Sequence, residues 1–147
     1  MWYQGLLGWS AWQVALAALV LTQITIVSVT IYLHRHSAHN SLDIHPVLAH
    51  FFRFWLWLTT GIRTREWTAI HRKHHAHCET DQDPHSPVRK GLSKVLWQGA
   101  ELYQQAGDTE TLEKYGQRCP NDWLERHVYN AHNNIGITLM AIINIAL

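Results

Sequence analysis

The sequence predicts an all-α integral membrane protein, and three observations lead there. A 22-residue run from Trp12 to Leu33 has no charged side chain, every Lys, Arg, Asp and Glu lies between Arg35 and Arg126, and four of the seven residues 71 to 77 are histidine. The net charge of +1 therefore conceals two lipid-like ends and a water-facing middle. In that middle Glu79, Asp81, Asp83, Glu101, Glu110 and Glu113 offset the arginines and lysines, leaving no basic surface for nucleic acid. The chain has twelve histidines, and those of the dense cluster are interleaved in mid-chain with Arg72, Lys73 and Ala76, unlike a purification tag. Imidazole ligates iron, copper, zinc and nickel, so this density says metal without saying which.

Trp12 to Leu33 would extend about 33 Å as a helix, enough for a hydrocarbon core of about 30 Å. A secretory signal peptide is the competing reading, but the basic n-region is missing and the apolar run is too long. The second apolar segment, Val47 to Ile62, is 16 residues and carries His50 and Arg53 among Phe51, Phe52, Phe54, Trp55 and Trp57. It is shorter than the about 20 residues a span needs, and its Trp and Arg content suits the membrane interface, so it is expected to be interfacial or re-entrant. The third segment, Ile135 to Leu147, reads as a transmembrane helix that stops after 13 residues, so the chain looks truncated.

Between the second and third segments, Leu92 to Asn134 has helical periodicity, broken at Gly107 and Asp108 and again at Cys119 and Pro120. Asp122 followed by Glu125 resembles a capping box opening a helix toward the third segment. There is no internal repeat, no Gly-rich phosphate loop and no nucleophile elbow. Loops rich in Lys and Arg stay on the cytoplasmic side; here everything basic follows the first span, so the N-terminus is expected to face away from the cytoplasm and the histidines toward it. Trp2, Trp9, Trp12, Trp55, Trp57 and Trp67 cluster at segment ends as an interfacial belt would. Cys78 and Cys119 are read as free thiols in a reducing compartment. Cys78 lies among the histidines and is a weaker candidate ligand, lacking the paired Cys spacing of zinc sites.

The first span runs directly into His34, Arg35, His36, Ser37, Ala38 and His39. Positions five apart on an ideal α-helix differ by about 140°, so His34 and His39 cannot share one narrow face; they would embrace a wider site or flank a helix end. His36, three before His39, is a rival ligand on geometry alone. The second cluster is the stronger signal: His71, His74 and His75 stand at i, i+3 and i+4, on one side of a helix, so three imidazoles can converge on a metal site. If both clusters serve one site they must meet at one membrane face, which the short second segment allows. His45 with His50 and His127 with His132 repeat the five-residue spacing and are read as decoys, Pro46 disturbing the first pair. His77 and His85 suit roles behind the ligands, with Asp81 and Asp83 as possible acceptors for the second ring nitrogen of a ligating histidine.

His34 to His39 and His71 to His75, followed by Glu79, Thr80, Asp81, Asp83, Pro84 and His85, resemble the first two histidine boxes of membrane fatty-acid desaturases. The likeness runs from about Trp9 onward. It implies His34, His39, His71, His74 and His75 as iron ligands, with no catalytic residue beyond them. It also implies two irons, dioxygen, an electron-donor protein and insertion of a cis double bond into a fatty acyl chain held in an apolar tunnel. The family's third box, an HxxHH after further spans, is absent from these residues, so the fragment alone is expected to be inactive. Animal acyl-CoA members carry an Arg-Asp pair just before the second box where Ala69 and Ile70 stand here, which leaves the carrier open among CoA, lipid and carrier-protein esters. The rival readings are a membrane di-iron hydroxylase and a histidine-rich metal transporter or sensor without enzymatic activity.

Overall fold

Gln13 accepts the backbone N–H of Ser10 at 2.9 Å, and the first helix, α1 (Ala11–Val27), starts directly after that serine. In the computed structural model, which describes residues 6–147, α1 continues without a break into a π-helix, π1 (Ser28–Ala38). Just before and at this junction, the Thr25 and Ser28 hydroxyls donate to the carbonyls of Leu21 (3.0 Å) and Ile24 (2.7 Å). Such back-bonding competes with the i→i+4 ladder and bends helices. Ala11–Ala38 is the one helix, among the described residues, long and apolar enough to cross a membrane by length and composition. All described elements are helical, as the sequence predicts. Trp2 lies outside the described residues.

The described chain divides into two units, one of residues up to Tyr32 with Asp43–Arg63 and Asn121–Leu147, the other of Leu33–Leu42 with Thr64–Pro120. In the first, α2 (Pro46–Thr60) replaces the expected Val47 to Ile62. His45 caps it, accepting the Val47 N–H, and Pro46 starts it where a missing N–H costs nothing. Gly61 ends it at φ 63°, the left-handed conformation that glycine adopts without strain. At 15 residues α2 is about 22 Å long, short of a bilayer core. The third segment forms α8 (Asn133–Ala146), which approaches α2 closely because Gly136 has no Cβ to strike the Trp57 carbonyl.

The expected capping box is half formed. Asp122 accepts the Glu125 N–H at 2.9 Å, but the Glu125 carboxylate turns to Arg53 instead of reaching back. The turn of π-helix that follows, π2 (Glu125–Tyr129), is separated from α8 by a break ending at His132, so no continuous helix enters the third segment. The single charge in α2 explains the departure. Arg53, 8% exposed, takes Asp122 through both terminal nitrogens (2.6 and 2.9 Å) and Glu125 through Nε and Nη2 (3.2 and 2.9 Å). A buried guanidinium needs such partners more than a helix start needs a second cap. The paired guanidinium holds Asp122 down to about 2, whereas burial, only partly offset by Arg53, pushes Glu125 above the usual carboxylate range.

The second unit is built on α3 (Thr64–Ala76), which packs on α7 (Thr109–Tyr115). Short helices α4 (Pro87–Lys90), α5 (Leu92–Trp97) and α6 (Gly99–Ala106) lead to it. The break expected at Gly107 and Asp108 is present, with Asp108 capping α7 by accepting the Thr111 N–H at 2.6 Å. Lys73 of α3 reaches the Thr111 hydroxyl at 2.8 Å. Through Lys73 the histidine helix is thus tied to α7 by a polar contact.

Candidate metal centre

The π-helix changes the geometry of the first histidine pair. The His39 N–H donates to the His34 carbonyl at 3.0 Å, five residues back, so the helix is wound wider than an α-helix. Residues five apart come nearly into line, and the two rings meet edge to face with centroids 4.5 Å apart. The expectation that they cannot share a face assumed an α-helix and does not hold here. His36, the geometric rival, turns elsewhere, with its Nδ1 at 2.8 Å from the Leu42 carbonyl.

His71 and His75, one α-turn apart on α3, face this pair. One ring nitrogen from each of His34, His39, His71 and His75 lies within 4.8 Å of the other three. His71 Nε2 stands 3.3 Å from His39 Nε2 and 3.1 Å from His75 Nε2. Imidazole nitrogens about 2.1 Å from one divalent ion stand about 3.0–3.4 Å apart, so these separations suit a shared ion. Burial, joined by repulsion from the neighbouring imidazoles, pushes His71 down to about 3, and the same causes lower His39. His71 is therefore neutral at pH 7, the form that ligates metal. Trp67, one turn earlier on α3, stacks on the His71 ring at 4.6 Å and 12°.

The convergence expected of three imidazoles from α3 is met by His71 and His75 only, and His74 stands apart from the four. Residues at i+3 and i+4 fall to opposite sides of residue i, about 100° from each other, so His75 points into the group while His74 turns to its flank. There its Nδ1 meets Asp83 Oδ1 at 2.8 Å, and its ring stacks on His85 at 4.3 Å and 24°. His74, Asp83 and His85 form a second potential metal-binding group. Asp83 is fully buried; burial alone would raise its carboxyl, but the hydrogen bonds from His74 and from the Glu79 and His85 backbone hold it below the usual range. Asp81, the other candidate acceptor, is exposed and lies 3.5 Å from Arg89. His77 faces the Tyr115 hydroxyl at 2.9 Å.

Arg72 holds the two boxes together. Its Nε donates to the Ala38 carbonyl (3.0 Å) and Nη2 to Ser37 (2.7 Å), at the end of π1. Its Nη1 donates to the carbonyls of Tyr115 (2.9 Å), the last residue of α7, and Gln117 (2.7 Å), just beyond it. One planar fork thus satisfies four chain-end carbonyls, which a lysine could not do. Nothing in the histidine spacing signals this role. Neither His45, His50, His127 nor His132 enters either histidine group among the described residues, and neither does Cys78, which like Cys119 forms no disulfide among them.

Residues 10–126 match the fatty-acid desaturase family. A chloroplastic probable lipid desaturase of Arabidopsis thaliana is 34% identical over 105 residues, 69% of this chain and 29% of that protein. Delta-9 acyl-lipid desaturase 1 of the same plant is 32% identical over 121 residues, 80% of this chain and 37% of that protein. Its chloroplastic palmitoyl-monogalactosyldiacylglycerol delta-7 desaturase is 29% identical over 80 residues, 54% of this chain and 21% of that protein. The chain thus spans less than half the length of these curated relatives. No solved structure matches it. With a family match that takes in both histidine clusters, and relatives that are themselves named desaturases, the chain belongs to the fatty-acid desaturase family.

Proposed function

We propose that this chain supplies part of the di-iron centre of a membrane fatty acyl desaturase. The observation that carries the reading is the convergence of His34, His39, His71 and His75, from two separate sequence clusters, to within 4.8 Å. Four imidazole nitrogen donors suit iron, and equally suit zinc or copper; family membership favours iron. In this reading the four imidazoles hold one iron and His74 ligates the second, through the ring nitrogen that does not face Asp83. Bound iron would supply the activation of dioxygen by which two hydrogens are removed from neighbouring methylenes, with electrons from an external donor protein.

The chain's own residues do the rest of the work. Burial keeps His71 unprotonated and ready to ligate. Arg72 brings the end of the first box to the helix of the second. The apolar helix Ala11–Ala38 anchors the site at a bilayer, and α2 lies at the interface without crossing, so that both boxes sit on the cytoplasmic side. Ala69 and Ile70, both buried, offer nothing polar to coenzyme A at the positions just before the second box. Together with relatives named as acyl-lipid and galactolipid desaturases, this favours a lipid-linked acyl chain.

Expressed at full length in a host without its own desaturase, the protein should yield new cis-monounsaturated acyl chains, recovered in membrane lipids and detected by mass spectrometry. A hydroxylated product instead would move the protein to the di-iron hydroxylases. Reversible metal uptake with no oxygen consumed would make it a metal-binding membrane protein.

A further inference from the structure

The loop after the second box ends in a carboxylate that the ligand set does not use. Asp83 is completely shielded from solvent, yet each of its oxygens is occupied. Oδ1 accepts from His74 Nδ1 at 2.8 Å and from the His85 N–H at 3.1 Å, and Oδ2 accepts from the Glu79 N–H at 3.0 Å. An ionised carboxylate can only accept, so the His74 proton sits on Nδ1 and the lone pair is left on Nε2.

The loop is built to hold that carboxylate. Glu79 adopts a left-handed φ of 62°, uncommon for a residue with a side chain, and in doing so turns its N–H toward Asp83. Its own carboxylate accepts the buried Ser86 hydroxyl at 2.8 Å, and its carbonyl accepts Arg89 Nε at 3.0 Å. The Thr80 hydroxyl ties the loop back to the His77 carbonyl at 2.7 Å. On the far side, the His85 ring lies against the His74 ring at 4.3 Å, so rotation of His74 is blocked while Asp83 fixes its tautomer. Asp81, two residues away and 88% exposed, lies instead 3.5 Å from Arg89.

We propose that Asp83 is a positioning residue that sets the tautomer and ring orientation of His74, so that His74 presents Nε2 to metal. This inference rests on the reading of His74 as an iron ligand. Carboxylates placed behind ligating histidines raise ligand basicity and remove the freedom to turn away, and their loss costs about 10–100-fold in metal affinity. Asp83 acts through His74 alone, so its loss weakens one iron and spares the four-imidazole group.

The test is iron affinity and stoichiometry in the full-length protein, compared among Asp83→Asn, Asp83→Ala, His74→Ala and the His74→Ala/Asp83→Ala double variant. Asp83→Asn keeps the side-chain volume, and the iron retained by the four imidazoles reports that the unit is still folded. The expected result is that Asp83→Asn and Asp83→Ala weaken one iron by about 10–100-fold and leave the other unchanged. Asp83→Ala should then cause no further loss when His74 is already alanine, the non-additivity that marks two residues acting as one. His74→Ala depleted of one iron while Asp83→Asn retains both overturns the Asp83 inference alone. His74→Ala with full iron overturns the ligand reading of His74 and this inference with it. Loss of both irons in Asp83→Asn, or an undiminished effect of Asp83→Ala in the His74→Ala background, overturns it as well, because the carboxylate then supports the fold of the unit.

Discussion

His39 donates its backbone N–H to the carbonyl of His34, five residues back, at 3.0 Å, and the two imidazoles stand 4.5 Å apart on the same side of the helix. The wide register makes the pair. Inserting one alanine between Ser37 and Ala38 should therefore abolish iron binding at this group, since it carries His39 out of line. His36→Ala should keep measurable desaturation, because its ring is engaged with the Leu42 carbonyl, whereas His34→Ala and His39→Ala should not. Equal loss at all three positions, in an assay of the full-length protein, would mean that the first box is in the wrong register.

Arg72 is the second determinant of the site. Arg72→Ala strands the carbonyls of Ser37, Ala38, Tyr115 and Gln117. At about 1–3 kcal/mol per orphaned group, relieved in part by water, the loss should be on the order of 2–4 kcal/mol. A lower Tm accompanied by lost iron is the expected outcome, and Arg72→Lys should recover little of either, since a point charge cannot span four acceptors. An unchanged Tm would remove Arg72 from the account.

In the first unit, Arg53→Met should destabilise by about 3–5 kcal/mol, the cost of leaving a buried acid without its partner. Asp122 adds a pH signature. Its folded pKa, about 2, lies below the unfolded value of 3.8, so its contribution is complete above about pH 4 and is lost as pH falls toward 2. The Tm difference between the native chain and Asp122→Asn should shrink over that interval and be constant above it. A difference independent of pH would deny the ion pair.

Topology gives a further prediction. Single cysteines at Ser41 and Val88, both exposed, in a protein lacking Cys78 and Cys119, should react with an impermeant thiol reagent from the cytoplasmic side only. Labelling from opposite sides would show that α2 spans the bilayer, and one metal site built from both boxes would have to be abandoned.

Much of this was legible in the order of residues, because helix periodicity and histidine spacing are local. The all-helical architecture, the break at Gly107 and Asp108, and the separation of the box histidines from His45, His50, His127 and His132 all follow from such local patterns. The reading of His34 and His39 failed because an α-helix was assumed where the chain forms a π-helix, which no residue spacing reveals. Partners distant in sequence were equally hidden. Arg53 was read as a charge suited to the membrane interface, and nothing pointed to its partners Asp122 and Glu125 about 70 positions away. Glu125 was read as a cap because the short-range pattern matched, and burial of Arg53 overrode it. Asp83 and Asp81 were equivalent in sequence; only the fold buries one and exposes the other.

The central claim is that histidines of two clusters hold one metal together. Iron content of the full-length protein, measured for single alanine variants, tests it most directly. His34→Ala, His39→Ala, His71→Ala and His75→Ala should each lose the same iron, while His45→Ala, His50→Ala, His127→Ala and His132→Ala keep the full complement. If His34→Ala and His71→Ala both retain that full complement, the four imidazoles do not form a metal site and the account is wrong.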